Sequence, residues 1–222
     1  MLRPLITAVL LVASTSLAQQ AQPPPAQQPP PAAAKTTPPA AAKTAPSPAV
    51  QNSMKAAGDR TQAALQQAPA ARPEDVRSIP ALTAALYDVI SGPAGKARDW
   101  QRFRSLFYPG AHMIPVRRAK AGAGPGISPI TPDDYATWGV DFFAKHAFYE
   151  KETHRQVAGY GDLVNVLSAY ETRDTPDGPV TSKGVNSLQL VFDGQRWWVL
   201  NIAWIDEKTA GTPIPKDFAR KE

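Results

Sequence analysis

VNSLQLVF at 185–192, Asp193-Gly194, and QRWWVLNIAWI at 195–205 make up the stretch that decides the fold. Asp-Gly suits the positive φ angles of a tight hairpin turn, and the runs beside it are rich in Val, Leu, Ile and Trp, so a two-residue β-hairpin is expected. Neither strand alternates apolar with polar residues as a surface hairpin does, so both faces are expected to be covered. With a two-residue turn, Phe192 lies opposite Gln195, Leu190 opposite Trp197, Leu188 opposite Val199 and Asn186 opposite Asn201. Trp197 and Val199 then point one way, and Trp198, Leu200, Ile202 and Trp204 the other. A turn longer by one residue, with Phe192 opposite Arg196, would set Asn186 beside Ile202 and send Asn201 to the other face.

Working upstream, 162–173 and 148–159 read as two further strands, joined by Gly161-Asp162 and followed by a Pro176-Asp177-Gly178 turn. Before them, Thr131-Pro132-Asp133-Asp134 is a helix start, with a Thr cap, Pro in the first turn and two acids at the positive end of the dipole. Tyr135, Trp138, Phe142 and Phe143 give that helix an aromatic face. Asp99 caps a second expected helix carrying Trp100, Phe103, Leu106 and Phe107 and ended by Pro109-Gly110, and 111–116 reads as a short strand. Leu82, Leu86, Val89 and Ile90 recur at helical spacing over 79–90, with Gly92 past the end. Three helices with a short strand, then a long antiparallel meander, predict an α+β domain with the helices on one face of the sheet.

The N-terminal third is different. Residues 1–18 carry Arg3, an apolar run over 5–13 and Ser16-Leu17-Ala18, the pattern of a secretory signal peptide cleaved near Ala18. The competing reading is an uncleaved anchor, but a span needs roughly 20 apolar residues. Export to the periplasm or the medium is therefore expected, with no stable membrane span. Residues 19–78 are rich in Pro, Ala and Gln and lack aromatics, which predicts an extended or disordered linker, with a marginal helix over 53–67 as the alternative. The folded domain is expected over 79–215 and a tail over 216–222. The 222-residue chain has no cysteine, so its core folds without disulfides.

The net charge of +5 does not mark a nucleic-acid binder. The first 75 residues supply +3 of it, and the one basic cluster, Arg117, Arg118 and Lys120, has no interleaved aromatics. The GAGPG at 122–126 lacks the Lys-Ser/Thr and helix start of a phosphate loop and reads as a mobile loop. No clustered His ligands, HExxH or Ser-His-Asp spacing is present, so neither metal nor cofactor is expected.

ALYDVISG from residue 85, RDWQRFRSLFYPGA at 98–111, TPDDY at 131–135, GDLVNVLSAYE at 161–171 and DGQRWWVLNIAW at 193–204 resemble the nuclear transport factor 2-like (SnoaL-like) superfamily, and exported bacterial members in particular. That superfamily includes polyketide cyclases, ketosteroid isomerases and scytalone dehydratase. The resemblance covers roughly 79–215 and implies a curved-sheet cone closed at its wide end by three helices around a conical cavity. It carries over no catalytic residue.

Candidate site residues come instead from the expected register. Asn186 and Asn201 would share an apolar face with Trp197, and Tyr170 and His154 on the neighbouring strands would join them, with Trp138 from the aromatic helix. A buried polar group without a partner costs about 1–3 kcal/mol, so this set satisfies itself, holds water or meets a ligand. A self-satisfied core network is the more common outcome. His112 and His146 read as surface or core histidines. Three functions compete. One is a pocket for a small apolar ligand oriented by Asn186, Asn201 and Tyr170. Another is a proton-transfer enzyme of isomerase, dehydratase or cyclase type, with His154 as base and Tyr170 as donor. The third is an interaction module that dimerises through the row Trp198, Leu200, Ile202 and Trp204.

Overall fold

The computed structural model describes residues 45–118 and 126–219. The expected signal peptide, the linker up to residue 44, Lys120 and most of the GAGPG stretch lie outside the described residues. The chain divides into two units, Met1–Ala45 and Pro46–Glu222, and the fold below is the second.

Helix α1, Pro48–Gln67, lies within the segment expected to be extended. Its Ala, Gln and Leu favour a helix, the Ser47 hydroxyl caps it, and Lys55 pairs with Asp59 one turn on at 2.7 Å. It buries none of its residues, as expected of a helix without an apolar stripe. The packed fold begins at α2, Pro73–Val76, rather than at residue 79, because Asp75 and Val76 are buried. Arg102 of α4 (Trp100–Ser105) donates to both Asp75 oxygens, at 2.7 and 2.9 Å, and this pairing holds the Asp75 carboxyl below the usual range.

Helix α3, Ile79–Ile90, has the expected apolar face and is capped by Ser78. Its C-terminal carbonyls are satisfied by Arg98, a buried residue whose guanidinium donates to Ile90 and Gly92 at 2.8 Å and lies 4.6 Å from the Phe143 ring centre. Helix α4 ends at Ser105, two residues before the expected Phe107, which already belongs to strand β1, Phe107–Pro115. Helix α5, Pro132–Lys145, starts at the predicted Thr131 cap, with a full capping box to Asp134. Gly139 lets α5 approach α4 closely, since a Cβ there would stand 2.4 Å from the Trp100 ring.

Four strands follow: β2 Tyr149–Tyr160, β3 Leu163–Arg173, β4 Val180–Phe192 and β5 Trp197–Asp206. They complete a curved five-stranded sheet in the order β1-β5-β4-β3-β2. The sheet is mixed rather than wholly antiparallel, because β1 runs parallel to β5. Between β1 and β5 the chain makes α5 and three strands, a crossover instead of a hairpin, and that permits the parallel pairing. Helices α3, α4 and α5 cover one face, the α+β architecture that the resemblance implied. Leu82, Phe103 and Leu106 from the helices meet Val166, Leu188, Leu190 and Val199 from the sheet, all 2 % exposed or less. Burying each such side chain contributes roughly 2 kcal/mol.

The hairpin takes a register that neither expectation describes. Phe192 pairs with Trp197, so the connection has four residues, closed by the Asp193 side chain accepting from the Gln195 and Arg196 amides at 2.8 Å. A bulge at Leu200 then adds one more residue, so that Gln189 faces Asn201, Leu188 faces Ile202 and Asn186 faces Trp204. The row Trp198, Leu200, Ile202 and Trp204 is thereby split. Trp198 stays on the outer face, while Ile202 and Trp204 join the inner one. Trp198 is nonetheless buried: Tyr108 meets it edge-on at 5.5 Å, Arg196 lies 3.6 Å over its ring, and its indole donates to Asp193 at 2.6 Å. Covering of the outer face at this point is therefore local to the hairpin and β1.

Candidate ligand cavity

Between the helices and the concave face of the sheet lies a cavity of about 780 Å³. Phe103, Phe107, Met113, Leu188 and Ile202 make its walls, Tyr135, Trp138 and Trp204 stand together on one side, and Glu150, Tyr170 and Asn186 supply polar groups. The ends of two elements place Glu150. The Ser91 hydroxyl, just past α3, accepts from the Glu150 amide at 3.0 Å, and Gly92 exchanges main-chain hydrogen bonds with Phe148 at 2.7 and 3.0 Å. The start of β2 is thus tied beneath α3 with the Glu150 side chain turned inward.

Hydrogen-bond directions around Glu150 follow from counting protons. Ser168 has one, given to Glu152 Oε1 at 2.6 Å, so Tyr87, 2.6 Å from Ser168, is the donor to it. The Tyr87 oxygen accepts from Asn186 Nδ2 at 3.0 Å, and the same nitrogen donates to Glu150 Oε1 at 3.3 Å. Asn186 therefore spans two networks. On one side the chain runs through Tyr87 and Ser168 to Glu152, which is paired with Arg155. On the other side stands Glu150 with the amide as its partner. Burial pushes the Glu150 carboxyl up to about 7, and the hydrogen bond from Asn186 offsets only part of that. Burial, and the nearby Glu150, push the Tyr87, Tyr135 and Tyr170 hydroxyls upward as well, so all three stay protonated at neutral pH.

Tyr170 is 6 % exposed and lines the cavity, and its hydroxyl has no hydrogen-bond partner among the described residues. Gly184 opposite it makes room, since a Cβ there would fall 2.4 Å from that oxygen. A ligand oxygen or nitrogen can take the vacant bond.

The structure brings Asn186, Tyr170 and Trp138 together at the cavity and adds Trp204, which the expected register had turned outward. Three other expectations are corrected. Asn201 lies on the outer face, donating to Gln189 Oε1 at 3.0 Å, because of the bulge at Leu200. His154 also faces outward: a bulge at Thr153 shifts β2 against β3, so His154 pairs with Ala169 and its ring lies 6.5 Å from Phe218 of the C-terminal turn. Trp197 faces inward but packs on Phe192 and the core at 5.4 Å instead of lining the cavity. Glu150 was missed altogether. It lies in YEKETHR at 149–155, a charged run that reads as a solvated strand, and the signal that could have found it is the Glu-Lys-Glu alternation, which sets both acids on one face of β2.

Among the described residues no group of three or more His, Cys, Asp or Glu could hold a metal ion, and no helix is long and apolar enough to cross a membrane. No protein-family model and no curated protein matches the chain. Solved structures similar to it include a protein of unknown function with a cystatin-like fold from Nostoc punctiforme PCC 73102, at 10% identity and a TM-score of 0.44 over 57% of this chain and 86% of that one. An NTF-2-like protein of unknown function from Silicibacter pomeroyi DSS-3 is 12% identical, with a TM-score of 0.40 over 59% of this chain and 93% of that one. LinA is also 12% identical, with a TM-score of 0.42 over 69% and 89%. The chemistry of the cavity is read from its own geometry.

Proposed function

We propose that this domain binds a small, largely apolar molecule that sets one hydrogen-bonding group against Glu150, Asn186 and Tyr170. The observation that carries the reading is the Tyr170 hydroxyl, which opens on an aromatic cavity of about 780 Å³ without a hydrogen bond to any described residue, in a space of a size suited to one small ligand. The apolar dye Nile red tests the reading: saturable one-to-one binding with blue-shifted emission is expected, and a weak, non-saturating signal would contradict it.

A second reading is favoured by one observation, the Glu150 carboxyl brought up to about 7. A base with that value is matched to removing a proton beside a carbonyl at neutral pH, with the Tyr170 hydroxyl available in the same cavity to donate to the developing enolate oxygen. The role given to His154 from sequence passes to Glu150. Deuterium uptake next to the carbonyl of 2-tetralone, followed by NMR in D₂O, checks it. Uptake accelerated by the native protein and not by Glu150→Gln supports the reading, and equal rates would exclude it.

A further inference from the structure

The charge and the rings around the cavity narrow the class of ligand. Tyr135, Trp138 and Trp204 form an open aromatic corner in its wall, with the Tyr135 ring 5.4 Å from Trp138 and 6.3 Å from Trp204, the latter edge-on at 89°. Ring faces carry partial negative charge and attract a cation that sits over them. Asp134 and Asp206 line the same cavity. Hydrogen bonds from Thr131 hold the Asp134 carboxyl below its usual range, and against the cost of burial those from Thr209 do the same for Asp206, so both are anionic at neutral pH. With Glu150 the lining holds three carboxyls. Arg117, the sole basic residue among the described residues of the lining, and Asp134 are both solvent-exposed, where water and salt screen them, which leaves Glu150 and Asp206 as the inner acids of the cavity.

We propose that the cavity takes an organic cation, a protonated or quaternary amine carried on a small apolar body, with its charge at the corner of Tyr135, Trp138 and Trp204 and toward Glu150. The proposal rests on the reading of the cavity as a ligand pocket and goes further by naming the ligand's charge. A neutral ligand would leave the carboxyls without a counter-charge, and an anionic one would oppose them in a partly desolvated space. The vacant Tyr170 hydroxyl is compatible with this class, because it can accept from an N–H as well as donate.

Competition against Nile red on the full chain at pH 8 tests this with three molecules of similar shape: benzyltrimethylammonium, the neutral neopentylbenzene and phenylacetate. The cation is expected to displace the dye at a concentration about tenfold lower than the neutral compound, roughly the 1.4 kcal/mol that one cation contact of this kind supplies, with phenylacetate weakest. Glu150→Gln and, separately, the rim variant Trp138→Leu are each expected to reduce the tenfold preference, read as the ratio of cation to neutral displacement within each variant so that any change in dye affinity cancels. Equal displacement by the cation and the neutral compound would overturn the charge assignment and leave the pocket reading standing. Failure of Nile red to bind would overturn both.

Discussion

Glu150 and Glu152 stand two residues apart on the same face of β2, and their surroundings differ in kind. Glu152 accepts from Ser168 and is paired with Arg155, so its charge is matched where it is buried. Glu150 accepts from one amide at 3.3 Å and otherwise faces the cavity, and burial brings its carboxyl up to about 7. The first acid holds an edge strand to the sheet. The second is left short of partners in a space large enough for a molecule to supply them. Burial alone does not separate a structural acid from a functional one; the partner does.

Removing the Glu150 charge is the sharpest way to break the contrast. The folded value of about 7 lies above the ordinary carboxyl value of 4.5, so the folded state holds its proton longer than the unfolded chain does. Native stability should therefore fall as pH rises from 4.5 to 7, by up to about 3 kcal/mol, and stay low above that. Glu150→Gln should lose this slope and be the more stable protein at pH 8, with the difference closing below pH 4.5, as read from urea unfolding at several pH values. Glu152→Gln should act in the opposite sense, leaving Arg155 without its counter-charge and costing about 2 kcal/mol at pH 7. Arg155 Nη1 is already the one buried side-chain nitrogen among the described residues that lacks a partner, so the site has no reserve of acceptors.

Smaller effects probe the link between the two acids. Tyr87→Phe deletes the donor to Ser168 and the acceptor for Asn186, and should cost about 1 kcal/mol in the same unfolding experiment. It should also let the Asn186 amide turn, which would appear as a change in the Glu150 titration. Asn201→Ala should shift stability by less than about 0.5 kcal/mol and leave Nile red binding unchanged, because its amide lies on the outer face. Loss of dye binding in that variant would restore the register expected from sequence.

What the sequence disclosed follows from the range over which each signal acts. The Thr131 and Asp99 caps and the Gly161-Asp162 turn are local and stand where they were expected. Asn186, Tyr170 and Trp138 at the cavity were legible because alternation along β4 and β3, and the aromatic face of α5, fix their side. The two register failures each turn on one bulged residue. The bulge at Leu200 moved Asn201 out and Trp204 in, the two extra residues of the Asp193 loop leaving the faces as they were, and the bulge at Thr153 turned His154 away. Sheet faces alternate with a period of two, so a single inserted residue reassigns everything beyond it. Glu150 escaped for another reason: its burial depends on α3 lying over the end of β2, a contact between residues far apart in the chain.

The most direct test of the account is the titration of Glu150 itself. With ¹³C-labelled glutamate, and Glu150→Gln to assign the resonance, carboxyl NMR from pH 3 to 9 should show a midpoint near 7 in the free protein. A midpoint near 4.5 would mean that water or an unseen partner meets this carboxylate, and the contrast between the two acids on which the functional reading stands would be gone.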